Sequence, residues 1–291
     1  MNNNSDSNRA LEILETLLPH LRAGAEYAAH IQKQIAHQPD KSAPDGNHFA
    51  AALSDADISI QTAIEVAVLS AFPNARFFGE EYASSVNTKY LAGTWLQEEG
   101  EDWVFLLDPI DGTRYYLDQG EFQVIFSIAS PTSFEASIFL FPRRKKILYA
   151  VRGKGAFMGE WSETSLRDYA PFRLTPADAP VFFSRTRYSD EGVFGTRGLF
   201  DLERDYRPGL ETPIYTGLFF GELSSVVMSG GQLIDGAAAA FIAGEAGAIV
   251  TTHTGEPLPE PRSAGPSRAF GGLVISDDAA LHQNILKVLS E

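Results

Sequence analysis

Asp108-Pro109-Ile110-Asp111-Gly112-Thr113 follows the apolar run Trp103-Val104-Phe105-Leu106-Leu107. A buried strand is expected to end there in two carboxylates three positions apart, with a proline, a glycine and a hydroxyl close by. Pro109 fixes its own φ and biases Asp108 toward extended backbone, and Gly112 permits a tight turn. The carboxylates of Asp108 and Asp111 and the carbonyl of Ile110 can then converge on one point. Hard divalent cations require that kind of all-oxygen cluster. The competing reading is structural, because a strand-end Asp often caps the turn or helix that follows. Capping uses one Asp and leaves the rest of the hexapeptide unexplained.

Three further acidic residues stand at element ends. Gly79-Glu80-Glu81 follows Arg76-Phe77-Phe78. In isolation two adjacent Glu read as a solvated turn, and only the company of the Asp108 segment makes Glu80 a candidate ligand. Asp235 opens Asp235-Gly236-Ala237-Ala238-Ala239-Ala240, where N-capping is the simplest role and where a helix N-terminus also favours anions. Asp57 begins an amphipathic helix and by itself reads as a cap. Thr113 is likewise common at a helix start. The run Arg143-Arg144-Lys145-Lys146 reads as a solvated hairpin tip, and Gly153-Lys154-Gly155 lacks P-loop spacing.

Composition narrows the chemistry. The chain has no cysteine, which excludes disulfides, thiolate metal sites and cysteine nucleophiles. Its six histidines (His20, His30, His37, His48, His253, His282) show no zinc-ligand spacing, so any metal is held by oxygen. A net charge of −15 argues against a nucleic-acid polymer as partner. It leaves room for a small anion, since acidic residues gathered on bound cations give a locally positive site. Met1 to Arg9 is polar, and no run approaches the ~18 apolar residues of a membrane span. The expectation is a cytoplasmic protein with no membrane partner.

The elements that position these residues follow from periodicity. Leu11, Leu14, Leu18, Leu21, Ala28, Ile31 and Ile35 predict a long amphipathic helix, kinked at Pro19. Residues 37–50 read as a loop, and a second helix is expected from Ala56 to Phe72, before Pro73. Strands are expected at Arg76–Phe78, Trp103–Leu107, Phe122–Ala129, Glu135–Phe141 and Lys146–Val151, with another after the Gly153–Phe157 turn. Further on come strand Val181–Ser184, a helix at Gly221–Gly230 and an alanine-rich helix at Asp235–Gly244. Strands Ala248–Thr251 and Gly272–Ser276 and helix Ala279–Leu289 close the chain. With 291 residues, two α/β-type units meeting near residue 150 are expected: an N-terminal α+β domain (1–150) and a C-terminal α/β domain (151–291).

Together these pieces resemble the inositol monophosphatase-like superfamily of magnesium-dependent, lithium-sensitive phosphatases. Four features match in order: Phe77-Phe78-Gly79-Glu80-Glu81; Asp108 to Thr113, which reproduces the family's DPIDGT signature; Gly153-Lys154-Gly155-Ala156-Phe157; and Asp235 with Glu245-Ala246-Gly247 ten residues on. The resemblance implies a mixed α/β fold, the layered αβαβα sandwich of the inositol monophosphatase and fructose-1,6-bisphosphatase type. It implies two or three Mg2+ ions, held by Glu80, Asp108, the Ile110 carbonyl, Asp111 and Asp235, with Asp108 bridging. It implies an attacking water oriented by Glu80 and by Thr113 paired to Asp57, phosphate oxygens held by the Gly112 and Thr113 amides, and a homodimer. The implied substrate is a small phosphate monoester.

The match is looser on the substrate side. Ile234 stands where the family usually has Trp, and only three residues separate Gly231 from Asp235, a much shorter stretch than the family's. That stretch often contacts the sugar or inositol ring. Gly120-Glu121-Phe122-Gln123-Val124 looks closer to the 3′(2′),5′-bisphosphate nucleotidases, and Arg114 stands where it either meets a second phosphate or faces solvent. Inositol monophosphatase and bisphosphate nucleotidase activities therefore remain alternatives, beside a catalytically silent relative that binds metal or phosphate.

Overall fold

The computed structural model of the chain describes residues 3–35, 54–81, 103–185, 194, 197–210, 212–230, 232–264 and 270–290. The loop expected at 37–50 lies outside them. Helix α1 spans Asn3–Ile31 and runs as one helix through Pro19. Pro19 is on the solvent side, where a backbone carbonyl deprived of its partner can bond water instead. Its leucine stripe (Leu14, Leu17, Leu18, Leu21) is buried. Helix α2, Asp55–Ala71, packs beside it through Ile60, Ile64 and Val68.

Strands β1 (Arg76–Gly79), β2 (Val104–Asp111), β3 (Gln123–Ala129), β4 (Phe134–Phe141), β5 (Lys146–Val151), β6 (Gly155–Glu160) and β7 (Ala170–Phe172) form one sheet in chain order. β1 runs parallel to β2 and the other pairs are antiparallel. Two strands beyond residue 150, β6 and β7, therefore pair into this first sheet. A short helix, α3 (Thr113–Leu117), follows β2 directly. The second sheet holds β8 (Val181–Phe183), β9 (Leu199–Asp201), β10 (Ser225–Met228), β11 (Ile249–Thr252) and β12 (Leu273–Ser276) in the order β11-β12-β10-β8-β9. Helices α4 (Leu202–Asp205), α5 (Gly236–Glu245) and α6 (Ala279–Ser290) belong to this half.

Alternation along the strands sorts the side chains into layers. Phe105, Leu107, Val124, Phe126 and Ile138 face α1 and α2. Leu106, Ile125, Phe139 and Leu148 face the other way, onto the alanines of α5 and the second sheet. Phe183, Val227 and Val274 on that sheet's far face pack under Leu281 and Ile285 of α6. The result is the expected αβαβα sandwich. Ala237 to Ala240 let α5 approach both sheets closely, which explains the small residues after Asp235. Among the described residues no helix is long and apolar enough to cross a membrane.

One element differs from expectation. Residues 221–230 are not a helix; they hold strand β10, paired to β8 on one side and β12 on the other. All four of its residues are buried. A strand covered on both faces shows no alternation, so its apolar run cannot be told from a buried helix by pattern.

Candidate active site

The geometry of the site begins with a defect in the first sheet. β2 and β3 keep antiparallel register to Asp108↔Ile125 and then resume at Asp111↔Gln123. Three steps on β2 thus oppose two on β3, which is a β-bulge. In a regular strand, residues three apart point to opposite faces. The extra residue returns Asp111 to the face of Asp108, which is also the face of Leu106 and looks toward the second sheet. Pro109, which has no N–H for the ladder, sits inside the bulge, and the Ile110 N–H donates to Asp108 Oδ1 at 3.1 Å.

The chain then turns sharply. Gly112 has φ +84°, in the left-handed region, and a Cβ there would lie 2.7 Å from Ile214 Cδ1. Thr113 Oγ1 lies 2.8 Å from the Ile110 carbonyl and 3.2 Å from Asp57 Oδ1, so its one proton has two acceptors. Asp57 is fully buried, and its Oδ2 accepts the Ser54 N–H at 2.9 Å in a capping box. One carboxylate therefore both caps α2 and faces Thr113. These roles looked like alternatives in the sequence, but Asp57 fills both with different oxygens.

Glu80 reaches the same place through the parallel β1–β2 pair. Its N–H continues the ladder to the Leu107 carbonyl at 2.9 Å, one residue before Asp108. Gln61 of α2 clasps the next residue, accepting the Glu81 N–H at 2.8 Å and donating to the Glu81 carbonyl. A Cβ on Gly79 would overlap that Gln61 amide, so the turn requires glycine. Glu81 is buried, and it is Glu80 that lines the cavity.

Asp235 arrives from the opposite wall. It N-caps α5, accepting the Gly236 N–H, and faces a cavity of about 290 Å3 shared with Glu80, Asp108, Ile110, Asp111 and Thr113. Gly112 and Arg114 also line it. Ser229, Gly230 and Gln232 line it too, so the short stretch before Asp235 does form part of the wall. Arg185 at the rim is paired to Glu203 at 2.6 Å. The third sequence feature serves elsewhere: Glu245 accepts the Gly153 and Gly155 N–H groups, each at 2.9 Å, and binds that turn to α5.

Charge is concentrated where water is scarce. Burial pushes the Asp111 carboxyl above the usual carboxylate range and the charge of Glu80 adds to this, against hydrogen bonds from Tyr215 and Gln123 that favour the ionised form. Asp235 is raised by burial and by the charge of Asp111. Burial and the neighbouring Asp111 and Asp235 charges push the Tyr215 hydroxyl far up as well, so it remains a donor. Among the described residues no three His, Cys, Asp or Glu side chains close into a compact metal cage. Instead, protein donors engage the oxygens of Asp108, Asp111 and Asp235. The donor set still fits a hard divalent cation. It is all oxygen, and the burial and repulsion that disfavour two charged carboxylates are what a cation would offset.

Tyr215 is the site residue the sequence did not single out. It lies in a 3-10 turn, Tyr215–Phe220, with no motif around it. Gln123 stood out only as part of a segment resembling one branch of a superfamily. Both meet Asp111 through tertiary contacts that no local pattern signals.

The fold places the chain beside a class of solved structures. An IMPase of Thermotoga maritima has a TM-score of 0.66 at 19% identity, with 96% of this chain and 97% of that one covered. The extragenic suppressor protein suhB of Bartonella henselae scores 0.64 at 16% identity, covering 96% and 99%. An IMPase/NADP phosphatase complexed with NADP and Ca2+ scores 0.65 at 18% identity, covering 96% and 95%. At these identities the likeness is one of fold. No curated protein sequence matches the chain. The model of the inositol monophosphatase family matches residues 13–291, and the chain belongs to that family of phosphatases.

Proposed function

We propose that this protein is a magnesium-dependent phosphomonoesterase acting on a small phosphorylated polyol, sugar or nucleotide through a metal-activated water. The observation that carries the proposal is the bulge in β2, which turns Asp108 and Asp111 onto one face opposite Asp235. In this reading Glu80, Asp108 and the Ile110 carbonyl would hold one cation, Asp108, Asp111 and Asp235 would hold a second, and a third, weaker site would lie near Glu80. When bound, magnesium supplies a water of lowered pKa and positive charge against the phosphoryl oxygens. Residues 1–150 then bring most of the ligands, and residues 151–291 bring Asp235 and the substrate side.

The chain's own groups supply positioning. Thr113 Oγ1, by giving its proton to Asp57, turns a lone pair toward the cavity and accepts a hydrogen bond from the attacking water. Glu80 takes the water's proton. The Gly112 and Thr113 amides hold phosphate oxygens at the start of α3. A structural neighbour was crystallised with Mg2+ and phosphate, and another was soaked in LiCl as an inhibitory complex. Lithium sensitivity belongs to the proposal for that reason. Nucleotides are kept beside polyols and sugars as candidate substrates, as related structures hold 2′-AMP or NADP. A homodimer and a cytoplasmic location complete the reading.

The test is magnesium-dependent phosphate release from inositol-1-phosphate, fructose-1,6-bisphosphate, adenosine-3′,5′-bisphosphate and 2′-AMP, with and without lithium. Release from at least one ester, suppressed by lithium, is expected. A well-folded protein that releases none would sink the proposal in favour of a silent relative.

A further inference from the structure

Asp111 stands beyond the bulge, at the last rung of the β2–β3 pairing. Its carboxylate takes a backbone hydrogen bond from Gly112 and has further supports. Two side chains provide them. Gln123, its direct partner across the rung, donates Nε2 to Asp111 Oδ2, and Tyr215 donates its hydroxyl to the same oxygen. Gln123 is buried and is itself oriented, because Thr216 Oγ1 lies 3.1 Å from Gln123 Oε1. An ionised carboxylate only accepts, so Nε2 must face Asp111. Oε1 then faces Thr216, and the Thr216 hydroxyl must donate.

The chain of donors runs Thr216 to Gln123 to Asp111, with Tyr215 closing on the same atom. Two donors on Oδ2 fix the rotation of the carboxylate about its Cβ–Cγ bond. They also occupy lone pairs of Oδ2 that a cation would otherwise use. Thr216 and Tyr215 are neighbours in one 3-10 turn of the second-sheet half, while Asp111 and Gln123 belong to the first sheet. The network thus ties the two halves together at a single carboxylate.

We propose that Tyr215, Gln123 and Thr216 are positioning residues that set the affinity of the Asp111 site for a divalent cation. The inference rests on the proposed function, since it takes Asp111 as a metal ligand. Groups that orient a metal ligand commonly change metal affinity by about 10- to 100-fold when removed.

The experiment is calorimetric titration of Mg2+ into the full chain, with melting temperature and the magnesium dependence of phosphate release alongside. Tyr215→Phe keeps the ring and loses the donor; it is expected to weaken one Mg2+ site about tenfold or more. In turnover the same variant should need more magnesium for half-maximal rate, with kcat recovering at saturating metal. Thr216→Val keeps the shape and loses the hydroxyl, and a smaller loss in the same site is expected. Thr216→Ser restores the donor and should restore the affinity. Wild-type affinity in both Tyr215→Phe and Thr216→Val would overturn the inference while leaving the proposed function standing. So would equal loss in Thr216→Ser and Thr216→Val, which would mark a packing role. If the wild-type chain binds no Mg2+, the proposed function fails and takes this inference with it. A variant that melts early without magnesium is replaced in the comparison by Gln123→Leu, which must show the same selective loss or the inference falls.

Discussion

The two walls of the cavity are built by different physics. On the first-sheet side Glu80, Asp108 and Asp111 are carried by backbone: the parallel β1–β2 rungs, the bulge and the Gly112 turn. Between Arg76 and Asp111, the described residues of that wall are mostly buried. The second wall, from Leu199 to Asp235, leans on side chains. Tyr206 donates its hydroxyl to Asp118, and Tyr115 donates to the Pro213 carbonyl at 3.1 Å. Their rings meet edge to face with centroids 4.8 Å apart. Backbone hydrogen bonds act in a cooperative ladder and resist single substitutions, whereas a side-chain latch can be changed one residue at a time. The contrast suits the proposed function, in which the first wall brings most of the metal ligands and the second adds Asp235 and the substrate side.

The strongest way to test that division is Asp108→Asn. Under the proposed function it removes the bridging ligand, and a loss of phosphate release of about a thousandfold or more is expected, with circular dichroism unchanged. Retained activity would break the assignment of a bridging ligand to the first wall. Thr113→Val is expected to lower kcat by about a hundredfold with little change in melting temperature, because Asp57 keeps its capping bond to Ser54. A large fall in stability instead would make the Asp57–Thr113 contact structural.

Tyr206→Phe probes the second wall. It removes one hydrogen bond, worth about 1 kcal/mol, so KM should rise about fivefold while kcat holds. A drop in kcat comparable to that of Thr113→Val would erase the distinction between the walls.

The smallest effect is expected far from the cavity, in the second sheet's support. His282 on α6 is buried, with Nε2 2.9 Å from Thr251 Oγ1. Burial holds its imidazole below the ordinary histidine value, so the folded chain binds its proton more weakly than the unfolded chain does. Its stabilising contribution is full above the ordinary value near 6.5 and is lost as pH falls from there through the folded value. Urea unfolding at pH 7.5 and 5.5 should show wild type losing more stability than His282→Gln, by at most about 1.4 kcal/mol per pH unit. Equal losses would show that the imidazole titrates alike in both states.

Much of the first wall was legible beforehand. The strand before Asp108 announced itself by an unbroken apolar run, and the Pro109 and Gly112 positions carry backbone constraints of their own. The capping reading of Asp57 was also correct as far as it went, because a capping box is local in sequence. β10 was misread as a helix because burial on both faces removes the alternation that marks a strand. Tyr215 was invisible because its turn has no local signature, and its partner Asp111 lies 104 positions away.

By itself, then, the sequence determined which oxygens stand at strand and helix ends and which backbone kinks they require, since those follow from local sterics and hydrogen bonding. Only the tertiary structure decided that Asp108 and Asp111 share a face, that Asp235 answers them from the second half, and that Tyr215 and Gln123 steady Asp111. These depend on the register of one strand against another and on the packing of two sheets across α5. Such distances are set by the whole core, and no short segment of the chain contains them.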